Sequence, residues 1–142
     1  MNINEASGAM LQPIFDVSDA IRYVALKRGA ELHQRQRAGV LDASAGESDR
    51  YEELFVNPGL IALAGARGDL DCGGFHYLAI RYGNFFQLVF RLDDGHLSVC
   101  VEKDADPVSL AQPILTACLA ACAAADLCSQ QEQPMPSQGA AA

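Results

Sequence analysis

The residues best suited to chemistry in this chain are five cysteines, three histidines and a short run of carboxylates. Cys118 and Cys122 stand four apart, so in a helix they share a face. Two such thiols can begin a metal site or a redox pair. A zinc site takes four ligands, and neither a CxxC nor a histidine cluster accompanies them. They read instead as small core residues, and Cys128 as an exposed thiol. His96 and Cys100 fall on one face of a strand, but four strand residues separate them by about 13 Å. That is beyond direct nucleophile–base contact. His33 and His76 have no partner nearby in sequence and read as surface or edge histidines. Asp69, Asp71 and Cys72 form a DxDC run, and paired carboxylates can hold magnesium. The plainer reading is a capped turn through Gly73-Gly74. Gly65, Gly68, Gly73 and Gly74 close a helix rather than open one, with no Lys-Ser/Thr after them, so they make no phosphate loop. No nucleophile, base and orienting group assemble. The expectation is a chain without catalytic residues, metal or cofactor.

The elements that position these residues centre on 75–102. Phe86, Leu88, Phe90 and Leu92 alternate with Gln87, Val89 and Arg91, and Leu97, Val99 and Val101 alternate with His96, Ser98, Cys100 and Glu102. This period of two predicts strands with one buried face. Asp93-Asp94-Gly95 supplies the hairpin turn between them. With Phe75 to Tyr82 ahead of Gly83-Asn84, the segment reads as a three-stranded antiparallel meander.

Upstream, Ile21 to Arg28 is strand-like, Gly29-Ala30 turns the chain, and Glu31 to Arg37 returns as a polar strand suited to a sheet edge. One long helix over 17–38 is the competing reading, but Gly29 in its middle costs about 1 kcal/mol. Met10 to Val17 reads as a short helix after a loose 1–9. Asp49 and Glu52 suggest a capping box opening a helix over 49–67, broken or kinked at Asn57-Pro58 and ended by Gly68 in a left-handed conformation. Tyr51, Leu54 and Phe55, then Leu60, Ile61, Leu63 and Ala64, form its apolar side. Asp106-Pro107 opens a last helix over about 108–126, kinked by Pro113. Residues 129–142, rich in Gln, Pro and Ala, read as a disordered tail behind a single domain over 10–128.

The chain has 142 residues, of which half are hydrophobic, and a formal net charge of −8. That charge argues against a nucleic-acid partner, which needs cationic surface to displace counterions. No apolar run of about 20 residues stands out as a membrane span. The first ten residues lack the basic start and apolar core of an export signal, so a cytoplasmic protein with reduced thiols is expected. Arg22, Lys27, Arg28, Arg35 and Arg37 cluster ahead of the acidic Asp42, Glu47, Asp49, Glu52 and Glu53. A basic patch beside an acidic one suits a protein partner or self-association.

The order α-β-β-α-β-β-β-α, with a short hairpin before a long helix and the meander RYGNFFQLVFRLDDGHLSVCVE leading to a helix begun at DADP, resembles the Roadblock (dynein light chain-like) family of the profilin-like, roadblock–longin group. The resemblance covers residues 10–126. It implies an α+β fold in which a five-stranded antiparallel sheet is flanked by helices. It also implies a non-enzymatic regulatory module that dimerises through its middle helix and an edge strand and serves as a platform for small GTPases or signalling proteins. Carried over, the edge strand is Phe75 to Tyr82, and the interface residues are Tyr77, Arg81 and Tyr82 with Tyr51 and Phe55 of the middle helix. A second branch of the group, small-ligand sensors of the PAS type, would instead place a pocket between Phe85–Phe90 and the middle helix.

Overall fold

The alternating segments become five strands: β1 (Ile21–Arg28), β2 (Glu31–Gln36), β3 (Tyr77–Arg81), β4 (Phe85–Leu92) and β5 (Gly95–Glu102). The computed structural model describes residues 3–132. The strands form one antiparallel sheet in the order β2-β1-β5-β4-β3, which joins the early hairpin to the meander through β1 and β5. Gly29, at φ +58°, turns β1 into β2. Gly95 is required for a different reason, because a Cβ there would run into the Lys27 carbonyl across the sheet. Both edges are where the sequence puts them, with the polar β2 at one side and β3 at the other.

One face of the sheet is covered by α1 (Ile3–Phe15) and α4 (Pro107–Glu132). Leu11 and Ile14 of α1 and Ala111, Ile114 and Cys118 of α4 meet Val24, Leu26, Leu88, Phe90, Leu97 and Val99 in one apolar core. At roughly 25 cal/mol per Å² this burial is the main source of stability on that side. Asp106 caps α4 as expected, accepting from the Val108 amide at 3.1 Å.

Both terminal helices are longer than the sequence suggests. α1 begins at Ile3 rather than Met10, so the expected looseness of 1–9 does not hold from Ile3 on. Ala9, Met10 and Leu11 are good helix formers, and packing on α4 and β2 stabilises a stretch too short to be helical alone. α4 runs to Glu132 rather than about 126, because Gln130, Gln131 and Glu132 favour helix and no Gly or Pro intervenes. Pro13 and Pro113 both lie inside these helices. The rest of the expected tail, 133–142, lies outside the described residues, as do residues 1–2. Pro107–Gln131 is also long and apolar enough, by length and composition, to cross a membrane, which corrects the reading that no such run exists. Its many alanines and cysteines disguise the run, and Ala111, Ile114 and Cys118 place it against the sheet.

The other face carries the middle helix, α2 (Gly46–Tyr51) and α3 (Asn57–Asp71) joined by a π-helical turn over Glu52–Val56. Pro58 has no amide to offer the Leu54 carbonyl, so a regular α ladder cannot pass through it. The wider turn takes its place, with the Asn57 amide reaching back to Glu52 O. This replaces the expected break. The capping box is also absent: Ala45 is the N-cap, and Asp49 lies inside α2, where its carboxylate accepts from Ser44 Oγ at 2.5 Å. Gly68 stays helical. Its amide-sized profile is needed because a Cβ would meet the Phe75 backbone nitrogen at 3.1 Å, while Gly73 and Gly74 take the positive φ values.

Candidate functional site

The apolar pattern of the middle helix is split between sheet and solvent: Leu54, Leu60, Ile61 and Ala64 are half-buried, while four others face out. Tyr51 is 61% exposed, Phe55 64%, Leu63 75% and Leu70 79%. Tyr51 and Phe55 stack with ring centroids 5.2 Å apart. They start a solvent-facing apolar stripe that continues along α3 to Leu63 and Leu70. The expected burial of Leu63 is therefore corrected. Facing the sheet instead are Glu53, Asn57, Gly65 and Gly68, all buried.

Beneath the helix these residues form a closed polar cluster. His96 Nε2 and Glu53 Oε2 lie 2.6 Å apart, with 2% and 1% of their side chains exposed. Asn57 Nδ2 donates to the same Glu53 oxygen at 3.0 Å, and the Tyr23 hydroxyl to Oε1 at 3.3 Å. Gln87 donates to Ser98 Oγ at 2.8 Å beside them. Burial, then the Glu53 carboxylate and Asp49, pushes the Tyr23 phenol well above its ordinary pKa. Burial with Glu52 and Glu53 does the same to the Cys100 thiol. The Glu52 carboxyl is raised by burial, then by Glu53 and Asp49, against a lowering contact from Gln87. Two cations, Lys27 and Arg91, lie directly across the ladder from His96.

Sequence reasoning missed this cluster because it assigned β4 and β5 only one buried face. Gln87, His96 and Ser98 looked like solvent positions, yet all three are buried. A usable signal was present. Between Gly95 and Val101 no Asp, Glu, Lys or Arg occurs on either face, as in a strand covered on both sides.

The proposed contact residues on β3 divide. Arg81 is exposed at the free edge, its guanidinium 5.1 Å over the Phe86 ring and donating to the Tyr82 carbonyl. Tyr82 is 39% exposed and meets Phe85 edge-on at 5.4 Å. Burial, then the nearby Glu52 carboxylate, raises its phenol. Tyr77 is not exposed as expected. Its ring packs on Phe90 at 5.7 Å, on the face shared with α1 and α4.

The basic patch does not exist as a free surface. Arg22 is 5% exposed, bonded to Glu102 at 3.1 Å and to the Leu41 carbonyl at 2.6 Å. Arg37 shares Glu102 at 2.9 Å. Arg28 binds Asp94 and Asp126, and Arg35 lies 4.3 Å over Phe15. Lys27 donates to the Gly29 carbonyl. Alternation along two adjacent strands sends neighbours in sequence to opposite faces, where carboxylates from distant segments meet them.

The remaining reactive residues have structural partners. Cys118 is fully buried and its thiol pushed up to about 12 by burial and by Cys122, so it is a poor nucleophile. Cys128 is exposed. Asp69 binds Arg91 at 2.9 and 3.0 Å and Asp71 binds Arg67, each arginine holding its carboxyl below the usual range. His33 meets Ser7 Oγ at 2.6 Å, and His76 is exposed just before β3. A cavity of about 20 Å³ bounded by Arg22, Tyr23, Phe85 and Cys100 has room for a water but not for a ligand of drug size, and no residue of the middle helix lines it. A groove of about 560 Å³ lies elsewhere, between the end of α1 and β2, and opens to solvent.

Comparison with known proteins gives a fold. No family model matches the chain, and no curated protein matches it in sequence. Among solved structures it is similar to the gliding protein MglB of Thermus thermophilus, with a TM-score of 0.60 at 14% identity over 87% of this chain and 91% of that one. It is also similar to MglC of Myxococcus xanthus, with a TM-score of 0.51 at 7% identity over 82% of this chain and 98% of that one. At such identities the likeness is one of architecture: this chain has the Roadblock-type α+β fold, five antiparallel strands between a pair of terminal helices and a middle helix.

Proposed function

We propose that this protein is a non-enzymatic, cytoplasmic regulatory module of Roadblock type. It acts as a homodimer through the outer side of the middle helix and the β3 edge. The observation that carries this reading is the exposed stripe of Tyr51, Phe55, Leu63 and Leu70 on the helix. Stable monomers rarely leave such an apolar stripe uncovered, and aromatic residues are favoured where chains meet. β3 adds unpaired backbone groups, with Arg81 and Tyr82 beside them. The assembled dimer serves as a platform for a small GTPase or another signalling protein, as the Roadblock resemblance implies and as a fold shared with the gliding protein MglB supports. Nucleic acid and membrane are not its partners on this reading, in keeping with the formal charge of −8 and with the packing of α4 on the sheet.

Light scattering at tens of micromolar, on the scale of transient affinities, should give the mass of a dimer. Phe55→Glu should raise the dissociation constant by roughly tenfold or more, and Arg81→Glu by less. A wild-type chain that is monomeric throughout this range overturns the dimer. Affinity capture on the intact dimer, with Phe55→Glu as control, then identifies the signalling partner.

A further inference from the structure

The middle helix is attached to the sheet by different means from α1 and α4. No large apolar side chain of the middle helix is fully buried. Its fully buried groups are Glu53 and Asn57, with their hydrogen bonds, and two glycines, while Leu54, Leu60, Ile61 and Ala64 are only half-buried and join neither apolar core. At Gly65 a Cβ would stand 2.7 Å from the Arg91 guanidinium, so an added side chain would have to displace that group. Asn57 Oδ1 and Gln87 Oε1 are buried without a protein partner. Such groups are unfavourable where they stand and regain hydrogen bonds when opened to water. The π turn over Glu52–Val56 adds a segment of poorer hydrogen-bond geometry. Few buried apolar contacts mark a unit that opens at lower free energy than the rest of a domain.

We propose that the middle helix leaves the sheet as a unit of its own, with the Glu53–His96 contact as its latch, and that this opening regulates self-association. The second half rests on the dimer reading above. Seated, the helix holds Tyr51 and Phe55 in fixed register over the sheet. Unlatched, it withdraws that surface. A second copy binds only the seated form, so association and latching strengthen each other by linkage.

Hydrogen exchange of the full chain, followed by mass spectrometry at several protein concentrations and low urea, tests both halves. Amides of Asn57–Asp71 should exchange faster than those of β1, β4 and β5, through an opening that urea hardly alters. Glu53→Gln, which keeps the side-chain volume, should speed exchange of the helix by roughly tenfold, and speed β1 and β5 only through the accompanying loss of global stability, with their steep urea dependence kept. It should also weaken the dimer, although Glu53 itself is 1% exposed and touches no second copy. Raising the wild-type concentration should slow exchange of the helix and of the β3 edge, and leave β1 and β5 at their own rates. Helix and sheet amides that exchange together with one shared urea dependence, or a helix not accelerated in Glu53→Gln, overturn the latch. A dimer unaffected by Glu53→Gln while the helix exchanges faster overturns the regulation only. A chain that remains monomeric while its helix opens separately overturns the dimer reading and the coupling with it, and upholds the latch.

Discussion

The two faces of the sheet solve the same problem with opposite chemistry. On the side of α1 and α4, Ile14, Ile114 and Cys118 press onto Leu88, Phe90 and Val99 with no polar atom to satisfy. On the side of the middle helix, Glu53, Asn57, His96, Gln87 and Ser98 are buried together. Tyr51, Phe55, Leu63 and Leu70 of that helix are turned outward. The first face is built for stability, since every buried methylene contributes and none of them demands a partner. The second is built for a defined orientation, since directional bonds hold the helix in one register while its apolar side remains available. A helix that must present an apolar surface cannot also use that surface to anchor itself.

The comparison can be broken or sharpened by experiment. The largest effect belongs to the apolar face. Ile114→Ala should destabilise by about 2–5 kcal/mol in urea denaturation, because it opens a cavity in a packed interior. Glu53→Gln should cost less, about 1–3 kcal/mol, by leaving part of the polar cluster unpaired. If it cost more than Ile114→Ala, the polar face would be the structural anchor and the contrast would fail. Smaller again is Glu52→Gln, which sharpens the polar side by its pH dependence. The folded state raises the Glu52 carboxyl by burial and by Glu53 and Asp49. It therefore binds that proton more tightly than the unfolded chain. The stability linked to this proton is present below the ordinary carboxylate value and lost as pH rises through the folded one. Glu52→Gln should accordingly flatten the urea midpoint against pH in mild acid and raise stability near neutrality. The size should stay below about 1 kcal/mol for a half-buried group still screened by solvent.

The sequence was informative where one face of an element sufficed to define it. Strand β1 lies at the residues expected, β5 begins at the Gly95 of the expected turn, and both sheet edges fall where polarity and order put them. The middle helix was misread because its apolar residues obey helical spacing whichever way the helix faces. Periodicity gives a stripe but not its destination. What decides the destination here is Glu53 pairing with His96, 43 residues away. Nothing local in either residue announces that contact. The basic cluster failed for the same reason, since Glu102 lies 80 residues from Arg22.

That last contact has a kinetic consequence. The Arg22 guanidinium gathers Glu102, the Leu41 carbonyl and the Asn84 carbonyl, spanning separations of 80, 19 and 62 residues. The segment leading into α2 cannot be fastened until β1 and β5 have met, and closing so long a loop is a slow event in folding. Arg22 would then act after the transition state. Substituting it with Lys should quicken unfolding in stopped-flow experiments while the refolding rate barely moves. A slowed refolding limb would place the clamp in the nucleus instead, and make the entry to the middle helix one of the first parts of the chain to be fixed.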